Sequence, residues 1–461
     1  MSTERPFRAE MAALVRLALP LAVAQGGQAL MGIVDAAVCG RAGSLALAGV
    51  GLGNSLAMFL AVFGLGLMQG LDPLVAQAVG AGQAVRARHL YWQGLWLAGL
   101  VGLALTLPFV VVPFFLVPLG IEPALAREAS AFFLLRLPGL PAFFAFFAAR
   151  AYLQGLGTGR PQLLATLVGN AVNLPLDLVL VFGGADLPAW TGPLRSIPPL
   201  GAAGAAIATT VGTFAQLGVL ALAVRAVRMP AGTVLSRGFD RAAVRTAFRV
   251  GWPVGLHFGA EVGIFALVGF FAARLGQVPL AAHQLAIALA SFTFTFIVGF
   301  GAAGSVRVGW AVGAGDRLAA RRSGLAALAS GALFMAGSAL VFLLLPGTLA
   351  RLMTSDAEVI ATAEPLLLVT AVFQIFDGLQ GVGAGVLRGA GETRFTLWAN
   401  VIGHWVLAFP ATLLLGFGLG LGVTGLWWGF VLGLGTVAVL LVGRFLSISS
   451  REIVPLAARL R

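Results

Sequence analysis

Ala78-Val79-Gly80-Ala81-Gly82 recurs unchanged as Ala311-Val312-Gly313-Ala314-Gly315, a shift of 233 residues. The same shift, without a gap, pairs Arg16 with Arg249, Pro20 with Pro253, Arg41 with Arg274, Gly43 with Gly276, Phe63 with Phe296, Gly66 with Gly299 and Arg88 with Arg321. Further on, Gly155, Gly157 and Arg160 match Gly389, Gly391 and Arg394 at 234, and Gly201 and Gly204 match Gly422 and Gly425 at 221. The last change of shift puts a longer loop before the sixth helix of the first half, near residues 183–200, with Pro188, Pro193, Pro198 and Pro199. The repeat breaks where acids occur: Asp35 faces Val268, Glu261 faces Gln28 and Asp377 faces Phe143. Duplicated architecture with unduplicated charge predicts a symmetric scaffold that carries an asymmetric ion site.

Composition fixes the solvent. The chain is 59% hydrophobic and 10% charged, with a mean hydropathy of +0.98, whereas a soluble domain is about a quarter charged. Division at charged or Pro/Gly-rich breaks gives about twelve apolar stretches, near 13–38, 45–78, 88–117, 125–154, 161–184, 198–226, 246–273, 280–311, 322–346, 358–388, 395–418 and 420–445. Each has the roughly 20 residues that a helix needs to cross a bilayer. The fold class is therefore all-α integral membrane, with twelve transmembrane helices in two six-helix repeats. An even number of spans gives both halves the same orientation, related by a pseudo-two-fold axis along the membrane normal.

The net charge of +12 comes from 29 basic residues, every one an arginine. With a cytoplasmic N-terminus, 23 of them fall on the inner side and only Arg41, Arg127, Arg136, Arg195, Arg274 and Arg351 fall outside or within spans. This is the positive-inside bias, and it predicts both termini in the cytoplasm. The basicity suits an anionic inner leaflet and not a nucleic-acid partner. The polar start followed by a full-length span lacks a signal-peptide pattern, so the first helix is expected to remain. Lone Cys39 excludes an internal disulfide and a cysteine metal cluster. Absence of lysine excludes a Walker A loop and a Schiff base, so energy must come from a gradient or another subunit, and no enzyme activity is expected.

The division along the chain reads as a six-helix bundle over 1–226, a cytoplasmic linker over 227–245 and a second bundle over 246–461. Within the linker, the Arg-rich stretch with Phe239, Val244 and Phe248 at helical intervals predicts an interfacial helix on the inner leaflet. The 63 glycines, grouped as in Gly299, Gly301 and Gly304 or Gly381, Gly383 and Gly385, predict close helix packing and not nucleotide binding. Pro20, Pro175, Pro253 and Pro410 lie within spans and are expected to kink or unwind them.

Asp35, Asp177, Glu261 and Asp377 are the candidate buried acids, and none has an arginine four residues away on its own helix. A carboxylate in hydrocarbon costs several kcal/mol, so such groups face a cavity, bind a cation or carry a proton; the alternative is a neutral acid bonded to a neighbouring helix. Asp72, with Gln77 toward the inner end of the second span, fits a helix-terminal contact equally well. Asn170, Asn173 and Asp177 fall on one face of the fifth span, either lining a cavity or laddering to a neighbour, and Thr209 of the sixth span can join them. Gln374, Asp377 and Gln380 are three apart on the tenth span, and His257 stands one turn before Glu261 on the seventh. The imidazole suits a proton relay or a structural hydrogen bond. The run Phe143, Phe144, Phe146 and Phe147 reads as packing, with room for cation-π contact.

Gly32-Ile33-Val34-Asp35, then Cys39-Gly40-Arg41 and Leu47-Ala48-Gly49-Val50, resembles the first-helix signature of the multidrug and toxic compound extrusion (MATE) family. Leu71-Asp72-Pro73-Leu74-Val75-Ala76-Gln77 with Val79-Gly80-Ala81-Gly82 resembles its second-helix motif, and Val386-Leu387-Arg388-Gly389-Ala390-Gly391 the end of its tenth helix. The resemblance implies a multi-pass inner-membrane antiporter that exports cationic, often aromatic drugs in exchange for H⁺ or Na⁺ by alternating access. It implies no other cofactor and is taken to imply a monomer. Glu261 and Asp377 match the acids of the NorM-like branch and its cation site, the one place where a metal, Na⁺, is expected. Asp35 matches the acid that takes the coupling ion, and Asn173 and Asp177 resemble its partners. Pro20 matches a proline at which the first helix bends, although Pro253 repeats it. A substrate cavity is expected from Asn170, Thr209, Gln374, Phe373, Gln28 and His257. Phe373 departs from the tyrosine of some Na⁺-coupled members, which weakens the case for Na⁺ without establishing H⁺.

The alternative reading is a flippase for lipid-linked precursors. It needs a lipid-open groove with cations for phosphate, and the central spans offer almost no arginine. A membrane-embedded enzyme lacks a clustered catalytic set, and a channel lacks a symmetric filter ring.

Overall fold

The computed structural model describes residues 7–185, 187–230, 236–451 and 453–459. Among these, eleven helices are long and apolar enough to cross a membrane, and a bent pair makes a twelfth span. In chain order they are α1 (Phe7–Ala42), α2 (Ser44–Met68) with α3 (Leu71–Gly80), α4 (Ala84–Phe109), the short α5 (Pro113–Leu116), α6 (Pro123–Arg136) with α7 (Gly139–Gly155), α8 (Arg160–Phe182), α9 (Ala202–Ala226), α10 (Arg241–Leu275), α11 (Gln277–Gly313), α12 (Arg317–Leu344), the short α13 (Pro346–Met353), α14 (Ala357–Gly389), α15 (Thr393–Asn400), α16 (Phe409–Leu413), α17 (Gly422–Ser449) and the terminal turn α18 (Leu456–Arg459). Twelve apolar spans in two repeats make this a multi-pass membrane protein. Several helices outrun the bilayer: the 36 residues of α1 extend about 54 Å at 1.5 Å per residue, against a hydrocarbon core of about 30 Å.

Prolines and glycines shape the spans where the sequence places them. Pro138, Gly139 and Pro141 sit at the break between α6 and α7, which bends by 44°, because a proline offers no N–H to carry the helix through. Pro410 opens α16, flanked by wider π-helical turns over Val401–Ala408 and Leu414–Gly418, a local slackening that accommodates the missing donor. Pro20, Pro175 and Pro253 stay inside continuous helices. The repeat survives in backbone conformation: Gly82 and Gly315 both have φ 72°, and Gly157 and Gly391 have φ 83° and 84°. Both pairs end a helix in the left-handed region, which glycine enters without a Cβ penalty.

The Arg-rich stretch is not a separate interfacial helix. Asp240 accepts from the main-chain N–H of Ala242 at 2.9 Å and of Ala243 at 3.1 Å, so the cap starts α10 at once and the helix runs unbroken into its span. Those bonds, the Ala243 N–H foremost, and His89 hold the Asp240 carboxyl below the usual carboxylate range. Ahead of the cap, the chain is strapped to α4. Gln93 donates to Gly238 O at 2.8 Å and accepts from Asp240 N at 2.9 Å, Trp96 donates to Arg237 O at 3.0 Å, and the Arg237 guanidinium lies 4.8 Å from the Trp92 ring centroid. Residues 231–235 of the expected linker lie outside the described residues.

The chain forms two compact units whose limits do not follow the linker. One comprises Val23–Leu71 and Ala84–Arg249; the other takes the chain up to Ala22, Asp72–Gln83 and everything from Val250. Inside the second unit, buried Glu10 accepts from Arg307 and from Ser323. Gln77 donates to Gly389 O at 3.0 Å and accepts from Leu456 N at 2.8 Å. Asp72 lies 3.8 Å from Arg388. Asp72 and Gln77 thus act as clamps on the end of α14, the helix-terminal role left open by their position. Glu392, just beyond α14, is held below the ordinary range, burial being outweighed by Arg444 and Arg459.

Small residues set the closest approach in that unit. Gly381, Gly385 and Gly389, one turn apart on α14, meet Gly301 and Ser305 of α11 main chain to main chain, and a Cβ on Gly385 or Gly389 would collide with the backbone opposite. Without a hydrophobic drive between helices in lipid, such contact carries the association. Gly385→Ala is expected to cost about 1–3 kcal/mol, the usual penalty of overpacking, and to lower the unfolding temperature in detergent. Gly337→Ala, where nothing stands within 4 Å, is the control and leaves the temperature unchanged.

Candidate functional site

Two buried acid clusters form, one in each unit. In the first unit, α1 presents Asp35 toward α8 and α9. Asn173 donates to its Oδ1 at 3.1 Å and Thr209 to its Oδ2 at 2.6 Å. Ala205 O also lies 2.9 Å from the Thr209 oxygen, so Asp35 and the helix backbone compete for the one hydrogen of that hydroxyl. Asp177, fully buried one turn beyond Asn173, stands beside Asp35 and Asn173, and neither of its oxygens finds a hydrogen bond of good geometry. Two carboxylates side by side in a low dielectric repel, which makes the space between them attractive to a cation. On the same inward stripe, Asn170 donates to Gly27 O at 2.9 Å and Gln28 donates to Gln216 Oε1 at 2.9 Å. The i, i+3, i+7 pattern on α8 therefore packs against α1 along its length.

In the second unit, α10 and α14 bring Glu261 and Asp377 together. Gln380 donates to Glu261 Oε1 at 3.3 Å, and His257 Nε2 stands 3.4 Å from Oε2. The opposite atoms, His257 Nδ1 and Gln380 Oε1, have no hydrogen bond of good geometry, and neither do the side-chain polar atoms of nearby Asn400 and His404. His404 and Arg388 are close enough to act electrostatically on His257. A buried polar atom that stays without a partner costs about 1–3 kcal/mol, so this cluster is not the arrangement that packing alone favours. Oxygen donors from Glu261, Asp377 and Gln380 suit a hard cation. Among the described residues no three His, Cys, Asp or Glu side chains converge on one metal position.

Other expected residues make different contacts. Gln374 is fully buried and donates to Thr293 at 2.7 Å and Ser338 at 3.2 Å. Phe373 packs in an aromatic core with Trp427 at 5.1 Å and Phe430 at 6.2 Å. Pro20 lies two residues before the change of unit at Ala22, while Pro253 lies three residues after the change at Val250. Gln216, Asn400 and His404 were passed over, although Thr396, Asn400 and His404 are spaced four apart and so mark one helical face.

The sequence profile described as MatE matches residues 20–179 and again residues 253–414. The two matches start 233 residues apart, at Pro20 and Pro253. The chain is 35% identical over 442 residues to the multidrug resistance protein NorM of Burkholderia vietnamiensis, covering 93% of this chain and 92% of that one. It is 36% identical over 457 residues to a probable multidrug resistance protein NorM of Bradyrhizobium diazoefficiens, covering 96% and 94%. Among solved structures, the eukaryotic MATE transporter AtDTX14 matches with a TM-score of 0.83 at 21% identity over 99% of both chains. A MATE crystal structure in the bent conformation matches with 0.85 at 20% identity over the whole of both. At such identities the structural likeness speaks for the fold.

Proposed function

This chain belongs to the MatE family, and from that premise we propose that it is a secondary multidrug antiporter of the inner membrane, exporting organic cations in exchange for H⁺ or Na⁺. The observation that carries the proposal is the Asp35 cluster: a carboxylate in an apolar span, held by Asn173 and Thr209, with Asp177 beside it. The charge is not part of the duplicated scaffold, since its repeat partner is Val268. An acid that lipid penalises and the repeat does not preserve fits a site that gains and loses an ion.

The exchange follows from competition for the same negative charge. Facing outward, the acids take up the coupling ion, the cationic drug loses its counter-charge and leaves; facing inward, the ion dissociates and a drug replaces it. Work is done only because ion and drug differ in affinity between the two states. Each elementary charge moved across 100 mV supplies about 2.3 kcal/mol, enough for a roughly 50-fold concentration ratio. The arginine bias supports cytoplasmic termini. Pro20 at the change of unit in α1 fits a hinge, and a monomer contains every residue named.

The test is uptake of a fluorescent organic cation into inside-out proteoliposomes, under an imposed pH gradient and separately under an imposed Na⁺ gradient. Uptake driven by one of them is expected, and collapse of that gradient abolishes it. Uptake under neither, with transfer of a lipid-linked precursor instead, overturns the proposal in favour of the flippase reading.

A further inference from the structure

Arg136 closes α6, thirteen residues from one end of the bent span Pro123–Gly155 and nineteen from the other. Its guanidinium is therefore carried within an apolar span, where an arginine is costly unless it meets a counter-charge or a polar cavity. Among the described residues it makes no ion pair, and its Nε has no hydrogen-bond partner. It does line a cavity of about 90 Å³ within the first unit, with Asn54 and Met58 of α2, Leu140 and Phe143 of α7 and Thr213 of α9.

Polar groups line this cavity from several sides. Arg136 offers a planar fork of donors and Asn54 an amide, while Phe143 supplies an aromatic face; the Thr213 hydroxyl borders the cavity but donates to Thr209 O at 2.8 Å. Thr213 is one turn from Thr209, whose hydroxyl holds Asp35, and Asp35 acts on Arg136 electrostatically. One face of α9 thus has the carboxylates near one turn and the guanidinium cavity at the next. At about 90 Å³ the cavity suits a small group such as a carboxylate.

We propose that this cavity is an anion subsite, in which Arg136, assisted by Asn54, takes the carboxylate of a zwitterionic aromatic substrate whose cationic end is drawn to Asp35 and Asp177. The inference rests on the export reading and assigns a residue of this chain to the carboxylate end of the substrate. A guanidinium suits the role because its rigid fork meets both carboxylate oxygens at once, which an ammonium cannot do.

Two fluorescent dyes isolate the group: rhodamine 110, which carries a free carboxylate, and rhodamine 123, its methyl ester. Equilibrium binding to the full-length protein in detergent is read by anisotropy near pH 7. Arg136→Met is expected to weaken rhodamine 110 at least tenfold and rhodamine 123 less than twofold, and Arg136→Lys to recover only part of the loss. In the wild type, benzoate is expected to displace rhodamine 110 and to leave rhodamine 123 bound, a measurement that needs no variant to fold. Equal weakening of both dyes, or displacement of both or neither by benzoate, overturns the subsite and leaves export standing. A wild-type protein that holds the ester and rejects the acid does the same. A wild-type protein that holds neither dye overturns export and subsite together.

Discussion

Asp35→Asn is expected to abolish gradient-driven export, at least a hundredfold in initial rate, while the protein stays folded. The replacement keeps the volume and most of the local bonding. Its carbonyl oxygen still accepts from Asn173, now at 3.1 Å from Oδ1, and its amide donates to the Thr209 hydroxyl in place of the 2.6 Å bond to Oδ2. What it removes is the negative charge that binds cation and drug in turn, so the site can neither load nor exchange. The loss falls on the differential affinity that couples the two cycles and leaves the packing of α1 against α8 and α9 intact. Transport by the variant and its thermal unfolding in detergent are measured together. Undiminished export by a well-folded Asp35→Asn protein would sink the assignment. Asp177→Asn in the same assay reports whether the second carboxylate, which has no well-formed hydrogen bond, shares the coupled ion.

Asp377→Asn carries the second large effect and is also expected to stop export by at least a hundredfold. Its surroundings differ from those of Asp35: the charge partner is Glu261, which itself leans on Gln380 and His257. Removing one of two neighbouring carboxylates relieves their repulsion, so the cation they would share is no longer stabilised between them. Drug binding in the first unit is expected to survive, with a dissociation constant within about threefold of wild type, because nothing in the Asp35 cluster is touched. Binding and transport measured on one preparation separate the two. Retained transport, or a loss of drug affinity as large as the loss of rate, contradicts a separate ion site at α10 and α14. Glu261→Gln serves as the matching probe, since its side-chain bonds to Gln380 and His257 can be kept by an amide.

The spans were legible because hydrocarbon demands about twenty apolar residues and satisfied backbone groups, so hydropathy alone marks them. The bend of the fourth span followed from Pro138 and Pro141, and the matched turns from Gly82, Gly315, Gly157 and Gly391. On α8 the stripe Asn170, Asn173, Asp177 was readable because a helix has a fixed period. Which neighbour meets such a stripe was not readable, because period fixes a face and not the helix it turns toward. Gln216 as partner of Gln28, and Arg136 near Asp35, depend on how each helix is rotated about its axis. The Arg-rich stretch before the seventh span misled for a local reason. Val244 and Phe248 are helical, as expected, but Phe239 precedes the Asp240 cap, which joins the stretch to α10 and leaves no separate surface helix.

The exchange of segments between units bears on whether the duplication can be undone. A cut through the linker yields two polypeptides of similar length, each with six spans and each apparently one copy of the ancestral repeat. The fragments would not be self-sufficient. The second would lack Glu10, and with it the acceptor for Arg307 and Ser323, and it would lack Gln77, which bonds both Gly389 and Leu456. Buried donors stripped of their acceptors are among the most damaging losses a fold can suffer. Gene fission at residue 230 is thus a poor route back to a half-sized subunit. Each copy has become dependent on material supplied by the other, and the duplication has been made irreversible.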